Sequence, residues 1–354
     1  MEGLNCGMRI AVGSLPLTDP SVAVRFQCHA FPEVPSWPQL PKLNSKERIT
    51  HQGLNGLPGL IFRPEGTVQW NDPPEGLESL AARFQKERRE NLLENGAFHK
   101  EDAPGFFAFL EEGPRYFSAV TAGVKGQCAG PVTLGLSMRN REGRPILESA
   151  SHMDVLSEYL ALHAIWQCKK LSVLGKPVVF FIDEPSMGRF EPGKYGRSWE
   201  EIQSWSNRIL EPLQEMGVLT GYHLCGKGPY RWALESSAEC LHVDAYRYLD
   251  ELREDAPALQ HFLEQGGWIA FGIVPTAMSG GTFPESASLV DRWLAFTYSM
   301  GRLGVDPDLL ASRSVFSTSC GLGGGSQAVA EEASRCLSGM VSLWRIAAGM
   351  GLKP

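Results

Sequence analysis

Gly217-Val218-Leu219-Thr220-Gly221-Tyr222-His223-Leu224-Cys225-Gly226 is a short apolar run that ends in two soft metal ligands set two residues apart. A run of this length bounded by glycine reads as a buried parallel strand. On a strand, residues i and i+2 leave the same face, so His223 and Cys225 point the same way. Ser314-Val315-Phe316-Ser317-Thr318-Ser319-Cys320-Gly321 repeats the pattern much later in the chain, again with a soft ligand after the apolar run. Strand C-termini are where a β/α barrel gathers its chemistry. The two runs together predict such a barrel with His223, Cys225 and Cys320 at its mouth, three protein ligands that leave a fourth position for an exchangeable group.

Working outward, strand-like runs alternate with longer amphipathic stretches, the order expected of βα units around a parallel sheet. The strand runs are residues 9–14, a weak one near 57–62, 116–124, 177–183, the run ending at Cys225, 240–246, 268–274 and the run ending at Cys320. Helical stretches with mixed polar and apolar faces cover 153–171, 198–214, 288–303 and 327–348. Eight strand runs predict an α/β fold, a single (β/α)8 TIM barrel, with residues 1–354 as one domain. Between about Pro32 and Phe107 the pattern is poorer, rich in Pro, Gly, Trp and charge, with Asn71-Asp72-Pro73-Pro74 as a turn signal. This stretch, about 32–107, reads either as an N-terminal insertion or extended loop region that elaborates the barrel mouth or as surface decoration. No repeat with a period of about 20 to 50 residues recurs, which argues against a solenoid.

Composition narrows the partners. With 354 residues, 43% hydrophobic and 21% charged, the chain can bury a sizeable core, and a net charge of −7 offers no basic excess for a phosphate backbone. Nucleic acid is therefore not an expected partner. No stretch approaches the roughly 20 apolar residues of a membrane span, and the start lacks a basic region followed by an apolar run. A cytoplasmic protein with no membrane partner is expected. The 8 cysteines are scattered, which in a reducing compartment favours free thiols and metal ligands over disulfides.

With the strands so placed, Ser14, Asp183, Glu184, His223, Cys225, Asp244 and Cys320 all fall at C-terminal strand ends. An imidazole and two thiols form a soft set, so zinc is the expected ion; magnesium or calcium would want an oxygen-rich cluster. Asp244, ending the run after His223-Leu224-Cys225, is the candidate fourth ligand or else an N-cap for the following helix. Glu235 is the spare candidate. A zinc ion held this way can activate water or hold a substrate thiol as thiolate, because a coordinating thiol loses its proton outright. Two thiolate ligands already neutralise the ion, which favours alkyl transfer to sulfur over hydrolysis. Asp183, in Asp183-Glu184-Pro185, could bind a substrate ammonium group or orient a zinc ligand. Gly321-Leu322-Gly323-Gly324-Gly325-Ser326 lets backbone approach a ligand closely and opens a helix that could hold an anionic group.

These motifs resemble the zinc methyltransferase superfamily that includes the C-terminal barrel of cobalamin-independent methionine synthase and the methylcobalamin:coenzyme M methyltransferases, with uroporphyrinogen decarboxylase as a fold relative. Gly13-Ser14-Leu15-Pro16-Leu17-Thr18 resembles the Gly-Ser-Phe-Pro-x-Thr opening of the methionine synthase barrel. Gly130-Pro131-Val132-Thr133-Leu134 is similar to its Gly-Pro-Val-Thr strand end, and Ile182-Asp183-Glu184-Pro185 to its Ile-Asp-Glu-Pro. His223-Leu224-Cys225-Gly226 resembles the His-x-Cys-Gly of the coenzyme M branch, and Ser319-Cys320-Gly321-Leu322 the Cys-Gly-Leu that ends the zinc set. The matches run in order from Gly13 to Leu322.

The resemblance implies zinc held by His223, Cys225 and Cys320, with Asp244 where methionine synthase has a glutamate ligand. It implies that Ser14 and Asp183 meet the amino-acid part of a homocysteine-like acceptor, Asp183 serving as the catalytic residue. No His-Gly-Glu segment is visible, Gly272-Ile273-Val274-Pro275-Thr276 replaces the segment carrying the family's active-site histidine, and the family's separate N-terminal barrel half has no counterpart in this sequence. The expectation is thus a zinc-dependent S-methyltransferase that moves a methyl group from methylcobalamin or another methyl-corrinoid, held by a separate corrinoid protein, to a small thiol. Homocysteine is the favoured acceptor; coenzyme M or another thiol, with a corrinoid or folate donor, is the alternative. The rivals are a decarboxylase-like tetrapyrrole-processing enzyme and a non-catalytic corrinoid- or thiol-binding protein.

Overall fold

The structure, a computed structural model, describes residues 4–63, 65–277 and 282–348. Its strands in chain order are β1 (Leu60–Phe62), β2 (Val68–Trp70), β3 (Val124–Ala129), β4 (Val178–Asp183), β5 (Leu219–Leu224), β6 (Cys240–Val243), β7 (Trp268–Val274) and β8 (Ser314–Thr318). Strands β3 to β8 form one parallel six-stranded sheet in sequential order, with helices in the connections.

Two extended segments join the edges of that sheet. Residues 9–14 lie along β8, where Ile10 N–H donates to Phe316 O at 2.9 Å and Phe316 N–H to Met8 O at 2.8 Å. Residues 34–39 pair with them through Ala11 N–H to Val34 O at 3.1 Å and Leu15 N–H to Gln39 O at 2.8 Å. The same segment reaches β3 through Lys125 N–H to Pro35 O at 2.9 Å and Trp37 N–H to Lys125 O at 3.4 Å. These parallel contacts close an eight-membered α/β ring.

The expected second and third strands are therefore corrected. Residues 60–62 pair antiparallel with β2, outside the ring, and Ile61 and Phe62 are exposed. The second barrel position is taken by residues 34–39, inside the stretch read as an elaboration. Pro35 and Pro38 remove two ladder donors from that segment, so it forms isolated bridges and lacks the signature of a strand. The third strand begins only at Val124 and carries Lys125 and Gln127, polar residues that hide it from a hydrophobic reading. The seventh run, 268–274, is β7 as expected.

The period-two alternation separates two cores. Phe180, Ile182, Tyr222, Leu224, Leu241, Val243, Ile269, Phe271 and Phe316 pack in the large cluster with the helices. The opposite parity supplies a smaller cluster of Ile10, Val34, Val179, Phe181, Cys240, Trp268, Ala270 and Val315, the floor of the barrel interior. Above this floor the inward residues turn polar. Lys125 is wholly buried, its Nζ donating to Val12 O at 2.8 Å and Gln127 Oε1 at 3.2 Å, and lying 5.0 Å from the Phe181 ring centre. One step further toward the C-terminal ends come Asp183, His223 and His242. No helix among the described residues is long and apolar enough to cross a membrane.

Candidate metal centre

His223 lies on β5 facing Asp183 of β4 on one side and His242 of β6 on the other, all in direct register. Cys225 follows β5 by one residue, and Cys320 sits two residues past β8. The donor atoms of His223, Cys225 and Cys320 all lie within 4.8 Å of one another. A tetrahedral zinc with bonds of about 2.0–2.3 Å wants donors roughly 3.3–3.8 Å apart, so small inward adjustments would seat such an ion, and the donor chemistry suits it. These three form the one group of three or more potential ligands among the described residues.

The protonation states suit the same purpose. His223 is buried, and desolvation, reinforced by His242 and Lys125, holds its pKa well below the ordinary histidine value; the imidazole is neutral. Desolvation likewise lowers His242 to about 3. Cys225 and Cys320 share a hydrogen bond that splits their acidities. Cys320 is lowered because the Cys225 thiol and the Gly321 N–H donate to its sulfur, while Cys225, the donor, is raised by that bond and by burial. Cys320 is thus the more acidic of the two thiols, and a bound metal would displace the protons of both.

A cavity of ≈ 540 Å³ opens over these residues. Its wall includes His223, Cys225 and Cys320 together with Ser14 and Asp183, the two residues expected to meet substrate. Asp183 is 5% exposed, its Oδ1 has no hydrogen-bond partner, and desolvation pushes its carboxyl up to about 7 against the opposing pull of Lys125. Ser14 is partly committed: its Oγ accepts the Gly323 N–H at 3.3 Å and its carbonyl accepts the Leu322 N–H at 2.9 Å. A Cβ on Gly321 would collide with Ser14 Oγ, so glycine is what lets the loop after Cys320 approach.

Asp244 and Glu235 are not brought into the group. Asp244 is wholly buried, and its carboxylate caps the helix Ala245–Tyr248 and pairs with Arg247. Glu235 lies on the outer surface, where it pairs with Arg231 at 2.8 Å beside Trp199 and Trp232. Glu184 likewise turns away from the mouth. Its carboxylate accepts the Val132 and Thr133 N–H groups at 2.9 and 2.7 Å, anchoring the helix Pro131–Ser137 and joining two of the sequence motifs.

Three residues at the site escaped the sequence reading. Glu47, at the end of the 3-10 turn Ser45–Glu47, lines the cavity with 1% exposure. Its Oε2 accepts the Leu40 N–H at 2.8 Å, its Oε1 has no partner, and desolvation raises the carboxyl to about 7. Lys125 and His242 lie beneath the site. The only sequence signal for Lys125 and His242 was their inward parity on strands; Glu47 had none. Residues Pro41, Glu47, Arg48, Ile49 and Thr50 come from the stretch read as an elaboration, and they line the mouth.

No protein-family model matches the chain, and no curated protein matches it in sequence. Solved structures do match the fold. The chain is similar to a B12-independent methionine synthase from a Shewanella species in complex with selenomethionine, with TM-score 0.57, 12% identity, and 98% of this chain and 99% of that one covered. It is also similar to a Listeria monocytogenes protein assigned as a vitamin-B12-independent methionine synthase, with TM-score 0.52, 13% identity, and 95% and 87% covered. At this identity the likeness establishes the barrel architecture that the sequence resemblance implied.

Proposed function

We propose that the protein is a zinc-dependent S-methyltransferase whose acceptor is a small thiol carrying a cationic group, homocysteine being the favoured one. The observation that carries this reading is a shared cavity: its lining residues include the three soft donors and two carboxylates, Asp183 and Glu47, each of which has a buried oxygen without a hydrogen-bond partner. When bound, zinc would supply acidity to a coordinating thiol, and the two cysteine ligands would leave it little charge for activating water.

The chain's own residues do the rest. His223, Cys225 and Cys320 would hold the ion and leave a position open toward the cavity. Asp183 and Glu47 offer acceptors for an ammonium group, and a cation there returns both carboxyls to their charged forms. Val12, Pro41 and Ile49 give the cavity an apolar lining against which an acceptor would pack, with its sulfur toward the metal position. Asp183 acts here by positioning the acceptor, and Ser14 by fixing the loop that carries Cys320. Asp244 would enter the ligand set only by releasing Arg247.

A methyl-corrinoid on a separate protein is the donor expected from the sequence, but the two solved structures named above are described as B12-independent and lend it no support. Methyl-folate is accordingly the second arm of the test. The zinc-loaded protein is incubated with methylcobalamin or methyl-tetrahydrofolate and a panel of thiols, and loss of the methyl–cobalt absorbance and thioether formation are followed. Methylation of homocysteine in preference to thiols without an amino group supports the reading. No thioether from any thiol with either donor overturns it. Glu47→Gln should raise KM for the amino-thiol about 10- to 100-fold, as expected for losing a charge-assisted hydrogen bond, and leave an uncharged thiol unaffected.

A further inference from the structure

His223 and His242 face each other across β5 and β6, with ring centres 4.4 Å apart and planes inclined by 63°. His223 Nδ1 lies 2.6 Å from His242 Nδ1, and His242 Nε2 lies 3.1 Å from the Thr318 carbonyl oxygen. Both rings are buried, at 3% and 1% exposure.

This chain of contacts fixes every proton. A neutral imidazole has one N–H and one lone pair. The Thr318 carbonyl can only accept, so the His242 proton sits on Nε2 and its Nδ1 presents a lone pair. Two lone pairs do not meet at hydrogen-bond distance, so His223 Nδ1 must carry the hydrogen that fills the gap. His223 Nε2 is left as the bare nitrogen. An imidazole with no such neighbour would divide its proton between both nitrogens, and the form with Nε2–H cannot ligate through that atom.

We propose that His242 is a positioning residue that locks His223 in its Nδ1–H tautomer and so presents Nε2, as a lone pair, to the metal position. The relay runs from a backbone carbonyl at the end of β8, through a second histidine, to the first ligand. It rests on the zinc reading for its purpose but not for its geometry. Ligating histidines generally have the second ring nitrogen held by a carboxylate, carbonyl or water, and loss of that partner costs about 10- to 100-fold in metal affinity. Here an imidazole fills that role.

The test uses the full chain with histidine labelled by nitrogen-15. In the metal-free protein, long-range proton–nitrogen correlations should give His223 the Nδ1–H pattern and His242 the Nε2–H pattern. His242→Leu should release His223 into mixed tautomers and weaken zinc binding about 10- to 100-fold in a chelator competition. His242→Gln, which can donate to Thr318 and accept from His223, should restore both readouts. An Nε2–H pattern on His223 in the parent protein overturns the proposal, as does a His242→Leu variant with unaltered tautomer and zinc affinity. If His242→Leu does not fold, the parent spectrum and the Gln variant still decide. Failure of the parent to bind zinc at all would sink the zinc reading, while the metal-free spectrum would still judge the relay.

Discussion

Asp244 and Arg247 are joined twice: Asp244 Oδ1 accepts the Arg247 backbone N–H at 3.0 Å, and Oδ2 meets the Arg247 guanidinium at 3.1 Å. This one residue had two readings in the sequence, fourth ligand or helix cap, and both of its oxygens are engaged in the second. Among the described residues the set of converging donors accordingly stops at three, the number that leaves an exchangeable position.

Asp244→Ala should therefore cost about 0.5–2 kcal/mol of stability through loss of the cap and leave zinc content at its parental level. Denaturant unfolding and elemental analysis of the same preparation check both. A fall in bound zinc with an altered X-ray absorption spectrum would put the carboxylate back among the ligands.

Cys225→Ser and Cys320→Ser should each lose stoichiometric zinc, because a serine hydroxyl does not ionise as a thiol does. Metal content unchanged in both variants would remove the site.

Glu47 gives the stability a definite pH dependence. Burial raises its carboxyl from 4.5 to about 7, so between those values the folded protein keeps a proton that the unfolded chain has released, and stability falls as pH rises. Glu47→Gln keeps an acceptor for the Leu40 N–H and does not titrate. The variant should gain on the parent by on the order of 3 kcal/mol between acid conditions and pH 8. Urea unfolding at the two pH values reads the difference; an equal offset at both contradicts it.

Gly321→Ala should destabilise the protein by about 1–3 kcal/mol and lower zinc affinity, because the added Cβ meets Ser14 Oγ and forces the Cys320 loop outward. Gly324→Ala, three residues on, adds a Cβ into open space and serves as the control. Equal effects of the two on zinc affinity would detach the loop approach from the metal site.

Much of the site was legible because its logic is local. The spacing of His223 and Cys225 puts both on one strand face whatever the strand's neighbours, and the apolar run before Cys320 ends where a strand must end. Asp183 was legible for the same reason, as a carboxylate at the end of the most apolar strand. The second barrel position was not legible, because Pro35 and Pro38 remove the donors by which a strand is recognised, and the residues that complete its bonds, Arg9, Gly13 and Lys125, lie far away in sequence. Lys125 and Gln127 similarly disguised β3, since polar side chains facing a barrel interior look, in sequence, like a strand turned toward water.

The sequence by itself determined the alternation of β and α elements, the inward parity of the strands that end at Asp183, His223 and Cys320, and the soft-donor chemistry of His223, Cys225 and Cys320. Tertiary structure alone decided which donors are free. It engaged Asp244 with Arg247, brought Asp183 and Glu47 to one cavity with an oxygen of each unpartnered, and set His242 against His223. The physical reason is that side-chain direction along a strand is a property of neighbouring residues, whereas the occupancy of a lone pair depends on which distant strand lies within hydrogen-bond distance.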